Sequence, residues 1–230
     1  MNLGNLSIII PLGPYEDQLP ALLDDLSVLG PDTEIILVSC GDKPLAPIRE
    51  TGLRCIMAAQ GRAIQQNAGA KAARYDLLWF LHADSRVTAE MLIMLEHSLA
   101  EAPEALHYFH LKFRKDGPRG MWLNEWGTRF RSQILKIPFG DQGFCLSKKQ
   151  FERIGGFPED APYGEDHLLV WYARQAGISL RCTGTALQTS ARKYREQGWG
   201  ALTLKYQWLW FKQALPEMVK LIRGKDANPL

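Results

Sequence analysis

Short apolar runs alternate with amphipathic stretches through the first hundred residues. Leu6-Ser7-Ile8-Ile9-Ile10, Glu34-Ile35-Ile36-Leu37-Val38 and the run 77–81 have the length and β-branched or continuously apolar character of buried strands, and Leu53-Arg54-Cys55-Ile56-Met57 makes a further, shorter strand. The first is expected to close at Pro11. Between these runs, Leu19, Leu22, Leu23, Leu26 and Leu29 recur at helical spacing with acidic residues opposite, which predicts a helix over 20–29. Gly61 opens a second helix through about Arg74, and a third begins near Thr88. Strands alternating with helices predict a parallel sheet with right-handed crossovers, covered on both faces.

The pattern changes after Pro103. Residues 107–113 alternate as a strand in a mixed region, 122–135 have helical character, and 139–146 read as a loop feeding a short strand. A short helix over 148–154, a Gly155-Gly156-Phe157-Pro158 turn, a helix over 165–176 and a strand over 178–183 follow. The final stretch, 199–222, is helical with a break or kink expected at Pro216. No internal repeat or low-complexity linker divides the chain.

Composition narrows the function classes. An apolar share of 46% and a charged share of 23% are those of a folded globular protein, and 230 residues suit one large α/β domain with at most a small appendage. The net charge of +2, without a Lys/Arg cluster interleaved with aromatics, gives no nucleic-acid signature. Cys40, Cys55, Cys145 and Cys182 are widely spaced and are expected to be small buried hydrophobes in a reducing compartment, with neither a disulfide framework nor a zinc site. The N-terminus lacks a basic leader pattern, and the apolar runs fall short of the ~18–20 residues a bilayer span needs. A cytoplasmic protein is expected.

The strand and helix ends collect polar groups at one edge of the predicted sheet: Asp42, Gly61-Arg62, His82 and Asp84, Asp141, and Glu165-Asp166. Ligands of such sheets bind beyond the carboxyl ends of the strands, and helix N-termini favour phosphate. A carboxylate two residues after an imidazole suits a divalent cation carrying a phosphorylated ligand. Equally, Asp84 could cap the helix that starts near Thr88. Arg62 and Gln66 lie one helical turn apart on one face, with Asn67 on the adjacent flank. Surface helix polarity is the plain alternative for these three.

In order along the chain, Ser7-Ile8-Ile9-Ile10-Pro11, Gly61-Arg62-Ala63, Asn67-Ala68-Gly69-Ala70, Phe80-Leu81-His82-Ala83-Asp84-Ser85, Gly140-Asp141-Gln142-Gly143-Phe144, Ile154-Gly155-Gly156-Phe157-Pro158 and Glu165-Asp166 resemble the blocks of glycosyltransferase family 2. The likeness covers about 6–195 and is nearest a bacterial subgroup with His-Ala-Asp where most relatives have Asp-x-Asp. The resemblance implies a GT-A fold: a Rossmann-like, mostly parallel central sheet flanked by helices. It divides the chain into a domain over 1–195, with a nucleotide-sugar half to about 100 and an acceptor half beyond it, and a C-terminal amphipathic helical extension over 196–230.

The implied activity is inverting transfer of a sugar from a nucleotide-sugar donor to an acceptor hydroxyl, with Mn²⁺ or Mg²⁺. Asp84 matches the carboxylate that holds the cation, with His167 as a further candidate ligand, and Asp166 matches the presumed base. Pro11, Ser39, Asp42, Gly61, Arg62, Gln66, Asn67, Asp84, Asp141 and Arg192 are the implied donor-binding residues. Asp141, Gln142 and Glu165 are the implied acceptor contacts. For Arg192 a surface salt bridge is the competing reading, and His82 is either a partner of the metal ligands or a hydrogen-bonded structural histidine. One departure stands out: Ser39 occupies the place where the family usually has Asp after the second strand, and the nearest carboxylate, Asp42, lies three residues later.

Two other readings compete. A sugar nucleotidyltransferase has a similar sheet but needs basic residues on the first loop, and none precedes Lys43 here. A noncatalytic nucleotide-sugar-binding module would accommodate Ser39 and His82. Separately, Trp199, Trp208, Trp210, Lys205 and Lys212 on an amphipathic stretch suit peripheral membrane contact through 199–223, near a lipid-linked acceptor, or packing on the domain or in a dimer.

Overall fold

A computed structural model of the protein describes residues 3, 5–13, 17–30, 32–40 and 52–226, with side chains as far as Arg223. Strands β1 (Leu6–Leu12), β2 (Glu34–Ser39), β3 (Leu53–Met57), β4 (Leu77–Phe80), β5 (Leu106–Phe113), β6 (Cys145–Ser147) and β7 (Leu180–Thr189) form one sheet in the order β3-β2-β1-β4-β6-β5-β7. β3, β2, β1 and β4 run parallel. β6 is antiparallel to both β4 and β5, and β7 returns parallel to β5. Helices α1 (Leu19–Leu26), α2 (Arg62–Ala72), α3 (Ala89–Glu101), α4 (Met121–Gln133), α5 (Lys148–Arg153), α6 (Glu165–Gln175), α7 (Arg192–Gln197) and α8 (Trp199–Asp226) complete the chain.

The period-two geometry of the strands explains the continuous apolar runs. Ile9, Leu78 and Phe80 join one core with Phe144, Phe157 and Trp171, while Ile8, Ile10 and Trp79 join a second core with Leu22, Met91 and Phe109 on the opposite face. Close docking of α2 depends on Gly69, where a Cβ would lie 2.4 Å from Ile9 Cγ2.

Several expectations are corrected. β1 does not end at Pro11 but pairs Pro11 with Val38 and Leu12 with Ser39. β4 pairs with β1 only as far as Ile9, so the N–H that Pro11 lacks falls where no neighbouring strand remains. β7 runs to Thr189 rather than Thr183. Tyr108 pairs with Cys182 and His110 with Ala186, so an irregularity containing Gly184, at φ 89°, interrupts the pattern before pairing resumes. α8 continues through Pro216 without a break: Gln175 Nε2 donates to both the backbone O and the carboxylate of Glu217, and Ala214 is buried, so packing on α6 holds the helix across the proline. α7 was not anticipated. Of the four cysteines Cys145 is buried, whereas Cys55 is exposed rather than part of the core.

Candidate active site

The carboxyl ends of the central strands and the N-terminus of α6 converge on a cleft of about 720 Å³. Arg62, His82, Asp84, Asp141, Glu165, Asp166 and His167 all line it, together with side chains of α4, α7 and α8. β4 delivers His82 and Asp84. Leu81 N–H donates to Ile9 O at 3.0 Å, prolonging the β1–β4 pairing, and Ser85 N–H closes a turn on His82 O at 3.0 Å. Arg86 anchors the next step: it forms two hydrogen bonds with Asp25, at 2.6 and 2.7 Å, and its backbone N–H reaches Gln188 O at 2.9 Å. Thr88, not Asp84, caps α3, accepting from Met91 N–H at 3.3 Å. The capping alternative for Asp84 is therefore removed.

Asp166 sits in the first turn of α6, after Gly164 in the left-handed region at φ 64°. Its Oδ2 accepts from Gly140 N–H at 2.6 Å and its Oδ1 from His167 N–H at 2.9 Å. Burial works to raise this carboxyl, but Arg62 and the two N–H groups outweigh it and hold it below the usual carboxylate range. Arg62, from the first turn of α2, donates through Nε to the Glu165 carboxylate. Burial opposes its charge, but Asp166, Glu165 and Asp141 fix the guanidinium as a cation. Burial and Arg62 depress the His82 imidazole against the pull of Asp84 and Asp166, keeping it neutral. Burial pushes Asp141 up to about 6, opposed by Arg131 and Arg62 and reinforced by Asp166 and Asp84.

Two buried polar atoms in this cluster are unpaired: Asp141 Oδ1 and His82 Nε2 have no hydrogen-bond partner. Four carboxylates line the cleft against the cations Arg62, Arg131 and Lys193. Arg62 is taken by Glu165, which leaves an acidic pocket with an unpaired carboxylate oxygen on Asp141, and carboxylates so placed fit a hard divalent cation. Among the described residues no group of three or more His, Cys, Asp or Glu forms a complete metal cage. Such a cage is not required for Mg²⁺-like ions, which typically combine one or two carboxylates with substrate phosphates and water.

Other expected site residues lie elsewhere. His167 is not placed to bind a metal: its Nδ1 is 2.8 Å from Gln213 Oε1 and its Nε2 accepts from Trp171 Nε1 at 2.7 Å, so both ring nitrogens are engaged. Gln142 is fully buried; its Nε2 donates to Phe109 O at 2.7 Å and its Oε1 accepts from Phe139 N–H at 3.1 Å, which uses the amide inside the protein rather than on an acceptor. Asn67 joins α2 to the glycine turn, exchanging hydrogen bonds with the Phe157 backbone at 2.8 and 3.0 Å. Gln66 is buried and lies outside the cleft lining, as do Pro11, Ser39 and Gly61, which stand at the adjoining ends of β1, β2 and α2. Arg192 pairs with Asp17 at 3.1 Å, the salt-bridge reading, and does not line the cleft. Asp42 lies outside the described residues.

Residues not singled out from the sequence contribute as well. Gln65 Nε2 donates to Leu12 O at 2.9 Å and Val38 O at 2.7 Å, tying together the ends of β1 and β2. Its signal was its place beside Gln66 in the Arg62–Asn67 block. Arg131 reaches the cleft from α4, its Cζ 3.3 Å from the centroid of the Phe139 ring, and burial brings its guanidinium down to about 10. Nothing in the local sequence of α4 marks it.

Residues 7–157 match Glycosyl transferase family 2, and the chain belongs to that family. Its fold is the GT-A fold of glycosyltransferases. The mannosyltransferase PcManGT from Pyrobaculum calidifontis, solved with GDP-Man and Mn²⁺, superimposes with a TM-score of 0.71 at 16% identity, covering 96% of this chain and 68% of that one. S. aureus TarS 1–349 in complex with UDP-GlcNAc gives a TM-score of 0.63 at 18% identity, covering 81% of this chain and 58% of that one. The chain spans 60% of TarS 1–349 and 36% of the longer TarS structure. No curated protein matches the chain. No described helix is long and apolar enough to cross a membrane.

Proposed function

We propose that the protein is an inverting, metal-dependent glycosyltransferase that moves a sugar from a nucleotide-sugar donor to an acceptor hydroxyl. The observation that carries this reading is the meeting of Asp84, Asp141 and Asp166 around one cleft at the carboxyl edge of a family 2 sheet. The GDP-Man, UDP-GlcNAc and Mn²⁺ held by the fold's neighbours support the choice of donor class and metal.

Asp84, with Asp141 beside it, would hold the cation. When bound, such an ion supplies Lewis-acid and electrostatic stabilisation of a diphosphate leaving group. Asp166 receives the acceptor proton as the acceptor oxygen bonds to the anomeric carbon and the bond from that carbon to the diphosphate breaks. Because its carboxyl is held acidic, it is a weak base at rest, and proton transfer keeps pace with bond formation rather than preceding it. The backbone N–H groups of Gly140 and His167 fix its orientation, so positioning supplies much of the acceleration. Arg62 offsets the carboxylates that would otherwise repel the donor's phosphates. Pro11, Ser39, Gly61 and Gln65 form the strand-end shelf for the nucleoside, and Asp141 faces the sugar and acceptor.

A panel of nucleotide sugars incubated with Mn²⁺ tests this reading. Donor hydrolysis that disappears in Asp166→Asn while donor binding persists supports the enzyme. Donor binding without turnover in the wild type assigns the chain to the noncatalytic reading.

A further inference from the structure

The cleft opens between two helices that each carry an exposed apolar stripe. α4 lines it through Leu123, Gly127 and Arg131, and α8 through Thr203, Tyr206 and Trp210. Beside its cleft side, α4 and its C-cap residue expose Trp122, Trp126, Phe130 and Ile134, one residue every four, with Trp126 stacked on Phe130. Leu123 belongs to the cleft and is also 44% exposed, so the apolar surface of α4 continues into the mouth. α8 exposes Leu204, Trp208, Phe211, Leu215, Met218 and Ile222, with Leu204 at 73% and Trp208 at 66%. Large apolar side chains exposed in this number on two helices flanking one cleft mark an interaction site.

Charge identifies the occupant. Arg129, Lys205, Lys212 and Arg223 are exposed on the same two helices. Their carboxylates with described side chains are Glu125 and Glu217. Glu125 is partly buried and accepts from Phe113 N–H at 2.7 Å, and Glu217 is buried and held by Gln175 and Lys220. Neither helix therefore presents an exposed carboxylate among its described residues. We infer that an anionic bilayer surface seats these two stripes, placing the cleft mouth at the lipid interface, where it receives a hydroxyl carried on a lipid-anchored acceptor.

Tryptophan and phenylalanine at headgroup depth with lysine and arginine beside them are what such an interface selects. A second copy fits less well. The alternating four- and three-residue spacing on α8 suits a two-stranded seam, but the exposed charges flanking it are cationic, so identical helices would repel. The four-residue step on α4 drifts around the helix, which a fluid surface tolerates and a fixed seam does not.

The acceptor class rests on the glycosyl-transfer reading, whereas the docking surface can be tested by itself. Full-length protein is sedimented with vesicles of phosphatidylcholine, alone or mixed with phosphatidylglycerol, at low and high salt. Trp126→Glu/Phe130→Glu and Trp208→Glu/Phe211→Glu are compared with wild type, with vesicle-free donor hydrolysis as a control for folding. The wild type pellets with the phosphatidylglycerol vesicles, less so in high salt, and each double variant lowers the bound fraction about tenfold while hydrolysis persists. Equal pelleting on both lipids, no pelleting, or pelleting undiminished by the α4 pair overturns the inference. So does a dimer that Trp208→Glu/Phe211→Glu dissociates without any vesicle binding. Absence of donor hydrolysis in the wild type contradicts the enzyme reading and leaves the vesicle result to judge the surface.

Discussion

The Asp166 carboxylate accepts the Gly140 N–H at 2.6 Å, and a Cβ on residue 140 would lie 2.9 Å from the same oxygen. The loop before β6 thus touches the proposed base directly and has no room for a side chain. Gly140→Ala is expected to turn Asp166 away from the reacting hydroxyl and lower turnover about 10²-fold, the cost of a roughly 1 Å misplacement. Donor affinity stays near wild type, because α2 and the β4 end are untouched. Single-turnover kinetics alongside donor titration check the split; equal losses in both would contradict it.

Gln65 is a stability prediction. Its one amide nitrogen serves the carbonyls of Leu12 and Val38, and the side chain is buried. Gln65→Leu keeps the volume but leaves the two oxygens without this donor, at about 1–3 kcal/mol for each one left unpaired. Urea denaturation is expected to show a lower midpoint with an unchanged slope.

His167 distinguishes a structural histidine from a ligand. With Trp171 donating to Nε2 and Gln213 at Nδ1, His167→Ala orphans two partners and costs about 2–4 kcal/mol. Burial depresses its imidazole below the ordinary 6.5, so at pH 6 the unfolded chain binds a proton that the folded chain does not, and the loss is larger at pH 8 than at pH 6. Mn²⁺ affinity is expected to be unchanged; a tenfold loss would restore it as a ligand.

Asp141 carries a pH signature. Its carboxyl titrates near 6 when folded against 3.8 as the ordinary value, so between these limits the folded chain holds a proton that the unfolded chain has released. Stability contributed by this group therefore falls as pH rises through that window. Asp141→Asn is expected to raise Tm at pH 8, by about 2–4 °C for each kcal/mol relieved, and to leave it unchanged at pH 4. Melting curves in chelator check this, and an equal shift at both pH values would contradict it.

The centre of the sheet was legible because β1, β2 and β4 are largely buried on both faces and so appear as apolar runs. Asp84, Asp141 and Glu165-Asp166 were legible because chemistry gathers at strand and helix ends. What escaped was non-local. Gly184 hides the second half of β7 behind an irregularity, and packing on α6 carries α8 past Pro216. Gln142 reads as an acceptor contact, and Asn67 as a donor contact or surface polarity, until the backbone groups they satisfy are seen, and Arg131 reaches the cleft only through the tertiary path of α4.

Asp84 is where the account is most exposed. Titration calorimetry of GDP-, UDP-, CDP- and dTDP-sugars into the wild type and Asp84→Ala, each with and without Mn²⁺, tests it most directly. We predict that at least one donor binds the wild type only when Mn²⁺ is present, and that Asp84→Ala abolishes that dependence together with the binding. Donor binding that is indifferent to both the ion and Asp84 would contradict the account.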